Sequence, residues 1–271
     1  MTLGRIGLLV LLLSVAGPAR ADITASRDVA YGSHPEQAYD IYFDQSAKDA
    51  PMIIMLHGGA WAFGRKEADS VWKDKATYFV PRGYVFASVE TRLLGDGADP
   101  RRQAEDLARA VAHMRANAAR WGADGSQVVL MGHSAGAHVA ALVGADRALR
   151  GVAGPLAGVV VLDTGTLDLV GLMQNDPRRL FTRAFGRDRA YWAFTSPRER
   201  LDSAAPPYLV FCRMSDDVCG HARHFADRAR QLGVGVSARP TAKSHRAINA
   251  DVGRDLRYTA VIERWMEGAL R

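Results

Sequence analysis

The chain has 271 residues, of which 48% are hydrophobic and 24% are charged, as in ordinary globular proteins. This composition excludes a disordered, collagen-like or coiled-coil chain. The net charge is +6, but the basic residues are scattered among acidic ones and form no run interleaved with aromatic residues, so no nucleic-acid partner is expected.

The first 21 residues are predicted to be a secretory signal peptide. Arg5 precedes the apolar stretch Gly7–Gly17, and Ala19-Arg20-Ala21 forms a small-x-small cleavage site before Asp22. The stretch is shorter than the about 20 apolar residues that cross a bilayer, and no cysteine follows it to carry a lipid. We therefore expect a secreted or periplasmic protein without stable membrane insertion, with a single domain over residues 22–271. The alternative is an uncleaved anchor or a frayed first helix.

In the rest of the chain, predicted strands and helices alternate. Apolar runs predict strands at Tyr39–Phe43, Met52–Leu56, Tyr84–Val89, Gln127–Met131, Val159–Leu162, Tyr208–Cys212 and Val234–Ala238. Apolar residues at helical spacing predict helices at Asp69–Val80, Pro100–Trp121, Ala135–Leu149, Gly220–Leu232 and Asp251–Leu270. The alternation predicts an α/β fold with a mostly parallel central sheet, helices on both faces and an antiparallel edge at its start.

One long segment, Thr164–Ala205, interrupts this alternation. It is rich in arginine, and its aromatic residues are Phe181, Phe185, Tyr191, Trp192 and Phe194. Insertions of this length above an α/β sheet usually cover a site. We predict a small helical cap here, with a peripheral helical pair as the alternative.

A candidate nucleophile lies in the motif Gly132-His133-Ser134-Ala135-Gly136, between a predicted strand and a predicted helix. A serine at such a sharp turn needs small residues two positions away on each side. The helix start that follows supplies free N–H groups for developing negative charge. The G-x-S-x-G spacing in this context indicates Ser134 as the nucleophile, and the alternative is an ordinary N-cap serine.

A candidate oxyanion hole lies in the motif HGGAW at residues 57–61, directly after the strand Met52–Leu56. Two glycines allow the backbone to turn its N–H groups toward a carbonyl oxygen. We predict Gly58, Gly59 and Ala60 as donors, together with the N–H of Ala135. The alternative is a glycine turn that closes a strand–helix unit.

The residues beside these motifs are expected to shape the site. Since His57 begins the glycine loop, we expect it to hold the loop rather than to touch substrate. The substrate pocket is predicted to include Trp61, Phe63 and His133.

Activation of Ser134 requires a base and an orienting carboxylate, which on such a sheet follow the serine in the order acid, then histidine. Asp216 follows the strand Tyr208–Cys212 and is the predicted acid, with Asp217 as the runner-up. His245 lies between the last strand and the last helix and is the predicted base. The histidines of the preceding helix lie too close to Asp216 in sequence to serve.

The sequence resembles the carboxylesterase branch of the α/β-hydrolase esterase/lipase family. The matching segments are HGGAWAFG at 57–64, ETRL at 90–93, AEDLARAV at 104–111, GHSAGAH at 132–138, LDTGTLDL at 162–169 and SHRAIN at 244–249. The resemblance spans residues 51–260 and implies an α/β-hydrolase fold with Ser134, Asp216 and His245 as nucleophile, acid and base. The chain departs from the family pattern at Arg213, where a glycine is common.

The two cysteines, Cys212 and Cys219, flank the predicted acid. In an exported protein such a pair often forms a disulfide, with free thiols as the alternative. The bond would close a small loop around Asp216 and fix its direction toward His245. Cys219, His221 and His224 could instead suggest a zinc site, but no fourth ligand is evident. No metal or cofactor is therefore expected.

The leading functional prediction is a serine esterase that acts on a small-molecule ester through an acyl-enzyme. HGGAW also resembles kynurenine formamidases, so an aryl formamidase is the second prediction, although export argues against it. A non-catalytic binding module on the same fold is the third. Nothing in the sequence predicts an oligomeric state.

Overall fold

The structure is a computed structural model that describes residues 22–175, 178–214 and 217–271. The predicted signal peptide and Asp216 lie outside the described residues.

Eight strands form one sheet in the order β1-β2-β4-β3-β5-β6-β7-β8. They are β1 (Ile23–Ala30), β2 (Ala38–Asp44), β3 (Ala50–Leu56), β4 (Val85–Val89), β5 (Ala123–His133), β6 (Gly158–Leu162), β7 (Tyr208–Arg213) and β8 (Val236–Thr241). β2 pairs antiparallel with β1 and β4, and the strands from β4 to β8 pair in parallel. The predicted mostly parallel sheet with an antiparallel edge is confirmed.

Helices connect the strands. They are α1 (Asp69–Phe79), α2 (Pro100–Ala116), α3 (Ala135–Ala145), α4 (Arg147–Ala153), α5 (Leu169–Asn175), α6 (Arg179–Phe185), α7 (Arg189–Thr195), α8 (Pro197–Arg200), α9 (Val218–Gln231), α10 (His245–Ala250) and α11 (Leu256–Ala269). Short 3-10 turns lie at Val80–Arg82, Leu94–Asp96, Ala118–Trp121 and Gly165–Asp168.

The sheet is buried on both faces. In β3, Ile54 and Leu56 pack into one apolar cluster with α2 and α3, whereas Ile53 and Met55 pack into the other with α1 and α11. Two buried faces explain why the central strands read as continuous apolar runs. This packing fixes the carboxyl ends of β3, β5, β6 and β7 at one edge, where ligands bind in such sheets.

Three elements differ from the sequence-based expectation. β1 was not predicted, because it is an edge strand whose side chains are largely exposed. The expected helix Ala135–Leu149 is two helices, since the carboxylate of Asp146 accepts from the Leu149 N–H and starts α4. The expected loop around His245 is the first turn of α10.

The insertion 164–205 forms a cap that consists of the 3-10 turn Gly165–Asp168 and helices α5 to α8. Phe181, Phe185 and Trp192 pack into the apolar cluster on the α2–α3 face of the sheet. The cap is therefore anchored on the sheet at the edge where the strands end. None of the helices in the described ranges is long and apolar enough to cross a membrane.

Candidate active site

Ser134 occupies the sharp turn between β5 and α3. Its backbone φ is 54°, in the left-handed region that non-glycine residues rarely adopt, so the turn holds it in a strained conformation. Its neighbours must be small, because a Cβ on Gly136 would lie 2.2 Å from the carbonyl oxygen of His57. The G-x-S-x-G spacing thus has a steric cause, and the turn leaves Ser134 lining a cavity of about 420 Å³.

The glycine loop after β3 packs directly against this turn. A Cβ on Gly58 would lie 3.0 Å from the Cβ of Ser134, and Gly59 adopts a φ of 136°. Ala60 and Ala135 line the cavity beside Ser134. Ala135 is the first residue of α3, so its N–H has no partner within the helix. Gly58 and Gly59 form the turn that brings Ala60 to the cavity.

His57 fastens this loop from behind. Its Nδ1 lies 2.7 Å from the Gly58 carbonyl oxygen and its Nε2 lies 2.6 Å from Oε1 of the buried Glu90. Both partners are acceptors, so both ring nitrogens donate. Burial alone would lower the pKa of His57, but the Glu90 carboxylate outweighs it and raises the pKa. Glu90 also accepts from the Lys66 N–H, a role that the sequence reasoning missed.

His245, the predicted base, is the first residue of α10 and lines the same cavity as Ser134. The Ser244 hydroxyl caps the helix by accepting from the Ala247 N–H. His133 Nε2 donates to the His245 carbonyl oxygen at 3.0 Å, and the two rings lie 4.5 Å apart. Burial lowers the pKa of His133 to about 4, so this residue stays neutral. His133 therefore holds His245 in place and is not among the residues that line the cavity, whereas the sequence placed it in the substrate pocket.

The carboxylate that binds His245 is Asp163, at the end of β6. His245 Nδ1 lies 2.6 Å from Asp163 Oδ2. The same carboxylate accepts from the Arg213 N–H at 2.9 Å and from Arg213 Nη1 at 2.8 Å. Burial alone would raise the pKa of Asp163, but the hydrogen bonds from His245 and Arg213 and the guanidinium charge hold it below its usual value. Asp163 is thus held as an anion beside the base.

This contact alters the expected acid. Asp216 lies outside the described residues, and the runner-up Asp217 is the N-cap residue of α9 and lines the cavity. Among the described carboxylates, Asp163 is the one hydrogen-bonded to His245. Its φ of 59° turns it sharply out of β6. The sequence offered one indication, an acidic residue directly after the apolar strand Val159–Leu162 that neighbours β5.

Ser134 and His245 are not joined by a hydrogen bond in the described part of the chain. Both line the same cavity. In ligand-free enzymes such catalytic contacts are often long and tighten when substrate binds.

The cap closes one side of the cavity. Trp61 lines it, as predicted, and its indole N–H donates to His138 Nδ1 at 3.3 Å. Leu172, Leu180 and Phe181 from the cap add apolar wall. Phe63, which was also expected in the pocket, is 64% exposed and lies outside this lining. The cavity is therefore small, with an apolar wall facing the polar Ser134–His245 side.

Cys212 and Cys219 form a disulfide between the end of β7 and α9. Cys219 is therefore not available as a metal ligand. Asp168, His221 and His224 offer ligand atoms within 4.8 Å of one another. His224 Nδ1 lies 2.8 Å from Asp168 Oδ2, and Arg198 Nη1 approaches the other Asp168 oxygen at 4.0 Å. This carboxylate thus already bonds a histidine and lies near a guanidinium.

Known proteins share this arrangement of elements. A model of the BD-FAE family matches residues 39–223. Esterase LipC of Mycobacterium tuberculosis is 28% identical over 225 residues, which are 76% of this chain and 55% of LipC. Kynurenine formamidase of Danio rerio is 30% identical over 132 residues, which are 46% of this chain and 40% of that protein. The match to this chain covers about half of LipC and less than half of the kynurenine formamidase.

Among solved structures, a truncated form of a carbohydrate esterase from gut microbiota superposes with a TM-score of 0.78 at 18% identity. The match covers 93% of this chain and 98% of that chain, and it shows a shared fold. The chain thus has the α/β-hydrolase fold and belongs to the BD-FAE family.

Proposed function

We propose that this protein hydrolyses small carboxylic esters through an acyl-enzyme on Ser134. The observation that carries the proposal is the 2.6 Å hydrogen bond from His245 Nδ1 to Asp163, which leaves Nε2 as the proton acceptor of a histidine that shares a cavity with Ser134. We assign the orienting acid to Asp163 rather than to Asp216. Esterase LipC, whose match covers 76% of this chain, supports ester chemistry.

The reaction proceeds in two halves. Ser134 Oγ attacks the ester carbonyl carbon while His245 Nε2 takes its proton, and the N–H groups of Ala60 and Ala135 stabilise the oxyanion. The alcohol leaves with that proton, and Ser134 keeps the acyl group. Water then attacks the acyl-enzyme, His245 takes the proton of the water, and the carboxylic acid leaves as Ser134 recovers its proton.

The cavity limits the substrate. A volume of about 420 Å³ walled by Trp61, Leu172 and Phe181 holds a short acyl or small aryl group. We therefore expect turnover to fall as the acyl chain lengthens.

The proposal is tested by hydrolysis of 4-nitrophenyl acetate, butyrate and octanoate by the purified protein and by Ser134→Ala. Turnover that falls from acetate to octanoate and vanishes in the variant supports the proposal. Turnover that persists in Ser134→Ala contradicts it. The absence of turnover on every substrate favours a non-catalytic binding module.

An aryl formamidase is the second candidate, because the matched segment of kynurenine formamidase is 30% identical. The two candidates use the same triad but differ in leaving group, which is an alcohol or an arylamine. N-formylkynurenine in the same assay separates them, since formamide turnover well above ester turnover favours the second.

We also propose that the protein is secreted or periplasmic and is cut after Ala21. The sequence of the first 21 residues and the Cys212–Cys219 disulfide support export, since disulfides persist in oxidising compartments. Expression of the full chain followed by intact mass measurement tests it. A mature start at Asp22 supports the cut, whereas an intact Met1 contradicts it.

A further inference from the structure

One short stretch of the cap is strongly basic. Residues 178–189 contain five arginines and one acidic residue, a net charge of +4, whereas the whole chain has +6. All five arginines are exposed. The rest of the chain has a net charge of +2, so most of the excess lies in this short stretch beside the cavity.

Three of these arginines share one groove. Arg179, Arg183 and Arg187 line it together with Leu180 and Thr182. Leu180 also lines the Ser134 cavity, so the groove and the cavity are adjacent and share this residue.

The three guanidinium groups lack carboxylate partners. In the described ranges no carboxylate oxygen lies within 4.0 Å of them, although Arg101, Arg150 and other arginines of the chain each pair with an aspartate. The one acidic residue of the stretch, Asp188, accepts instead from the Ala190 N–H.

Arg179 and Arg183 lie four residues apart on α6 and repel each other at a small cost in stability, and Arg187 follows the end of that helix. An ordinary solvated helix face mixes both signs of charge, so an unpaired row of arginines indicates an anionic ligand.

An aromatic ring borders the same row. The Arg183 guanidinium lies 6.0 Å from the ring centroid of Phe63, which is 64% exposed. Phe63 follows the HGGAW motif by two residues, so the ring is close in sequence to the oxyanion loop and in space to the arginine groove. An exposed ring can pack against the apolar face of a sugar, and a guanidinium fork pairs with a carboxylate.

We propose that this groove binds the uronic acid residues of an acidic polysaccharide whose ester groups enter the Ser134 cavity. The inference rests on the proposed esterase function and names its substrate class. Arg179 and Arg183 are spaced about 6 Å along the helix, so they can contact successive carboxylates of an extended chain. A membrane surface fits less well for two reasons. The groove is concave, and Leu180 is the single apolar residue among the described residues that line it, which leaves little apolar surface to insert between lipids.

The test is affinity electrophoresis of the full protein in gels that contain polygalacturonate or neutral dextran. The cap variant R179Q/R183Q/R187Q is compared with R257Q/R264Q/R271Q, which removes three exposed arginines from the region of α11 on the opposite face of the sheet. We expect polygalacturonate, but not dextran, to retard the wild type and the control. The cap variant should lose about tenfold or more in affinity.

Two further measurements keep the result decisive. Retardation of the wild type should weaken as NaCl rises from 0.1 to 1 M, because the screening length falls from about 10 Å to about 3 Å. Turnover of 4-nitrophenyl acetate should stay unchanged in the cap variant, since its three arginines lie outside the Ser134 cavity. Activity toward this ester reports the proposed esterase function separately from polymer binding.

Equal retardation of the cap variant and the wild type overturns the proposal, as does equal retardation by dextran. Binding to phosphatidylglycerol vesicles without binding to polygalacturonate assigns the groove to a membrane surface and also overturns it. If the triple variant does not fold, R183Q/R187Q and the salt series on the wild type decide between the same outcomes.

Discussion

The hydrogen bond between Asp163 and His245 predicts a specific failure in Asp163→Asn. Asp163 Oδ2 accepts from His245 Nδ1 at 2.6 Å and from Arg213 Nη1 at 2.8 Å. The Arg213 N–H binds the other oxygen, so the amide oxygen of an asparagine takes that position. The amide NH₂ then faces two donors.

His245 escapes this clash by moving its proton from Nδ1 to Nε2. A histidine in that tautomer cannot accept the proton of Ser134. We expect kcat for 4-nitrophenyl acetate to fall by about 10³ to 10⁴, which corresponds to roughly 4 to 5.5 kcal/mol, with KM almost unchanged. Asp216→Asn, which removes the same charge from the acid that the sequence predicted, should stay within about tenfold of the wild type.

The substitution also affects stability. It removes the Asp163 charge from beside the Arg213 guanidinium, whose side chain is 19% exposed, and this costs roughly 1–3 kcal/mol of unfolding free energy. The double variant D163N/R213M removes both charges and should recover the melting temperature but not kcat. Near wild-type kcat in Asp163→Asn together with a large loss in Asp216→Asn would refute the assignment of the acid.

Three further predictions concern residues outside the triad. Glu90→Gln removes the charge that holds His57 protonated. The value of kcat/KM for 4-nitrophenyl acetate should then fall about tenfold to a hundredfold, while the circular dichroism spectrum stays unchanged. An unchanged kcat/KM would mean that the glycine loop does not need the His57–Glu90 contact. Burial lowers the pKa of Lys75 to about 7, against about 10.4 in the unfolded chain, so the unfolded state binds the extra proton between pH 7 and 10 and stability rises across this window. The unfolding free energy of the wild type in urea should therefore gain about 3 kcal/mol over that of Lys75→Met between pH 7 and 10, and parallel pH profiles would contradict it. The disulfide variant C212S/C219S should lose about 2 kcal/mol of unfolding free energy. Its loss of kcat should be far smaller than that of Asp163→Asn. A stability equal to that of the wild type would show that the disulfide does not stabilise the fold.

Local sequence patterns predicted most of the sheet, the turn at Ser134, the HGGAW loop and the loop-holding position of His57. Continuous apolar runs mark strands buried on both faces, and these strands carry Ser134 and the HGGAW loop at their ends. The expectation that His57 holds the loop agrees with its contacts to the Gly58 carbonyl oxygen and to Glu90.

The assignment of Asp163 and His133 required the three-dimensional structure. Asp163 and His245 are 82 residues apart, and only the register of β6 beside β5 and β7 brings them together. His133 is the last residue of β5, and its ring bonds the His245 backbone and is not among the residues that line the cavity. Such contacts depend on side-chain direction at strand ends, which periodicity does not encode.

The break in strand–helix alternation predicted a helical segment at residues 164–205. The sequence did not show which of its aromatic residues line the cavity. Phe181 lines the cavity, whereas Phe185 and Trp192 pack into the core below. All three occur in one aromatic stretch, and short helices of seven residues or fewer give too little periodicity to sort them.

Covalent labelling is the sharpest test of whether Ser134 is an activated nucleophile. The purified protein is incubated with a 4-nitrophenyl alkylphosphonate, which reacts with an activated serine, and the adduct is located by peptide mass spectrometry. We expect one adduct on the peptide that contains Ser134. We expect no labelling in Ser134→Ala and strongly slowed labelling in His245→Ala. A protein that stays unlabelled, or that is labelled equally in Ser134→Ala, would contradict it.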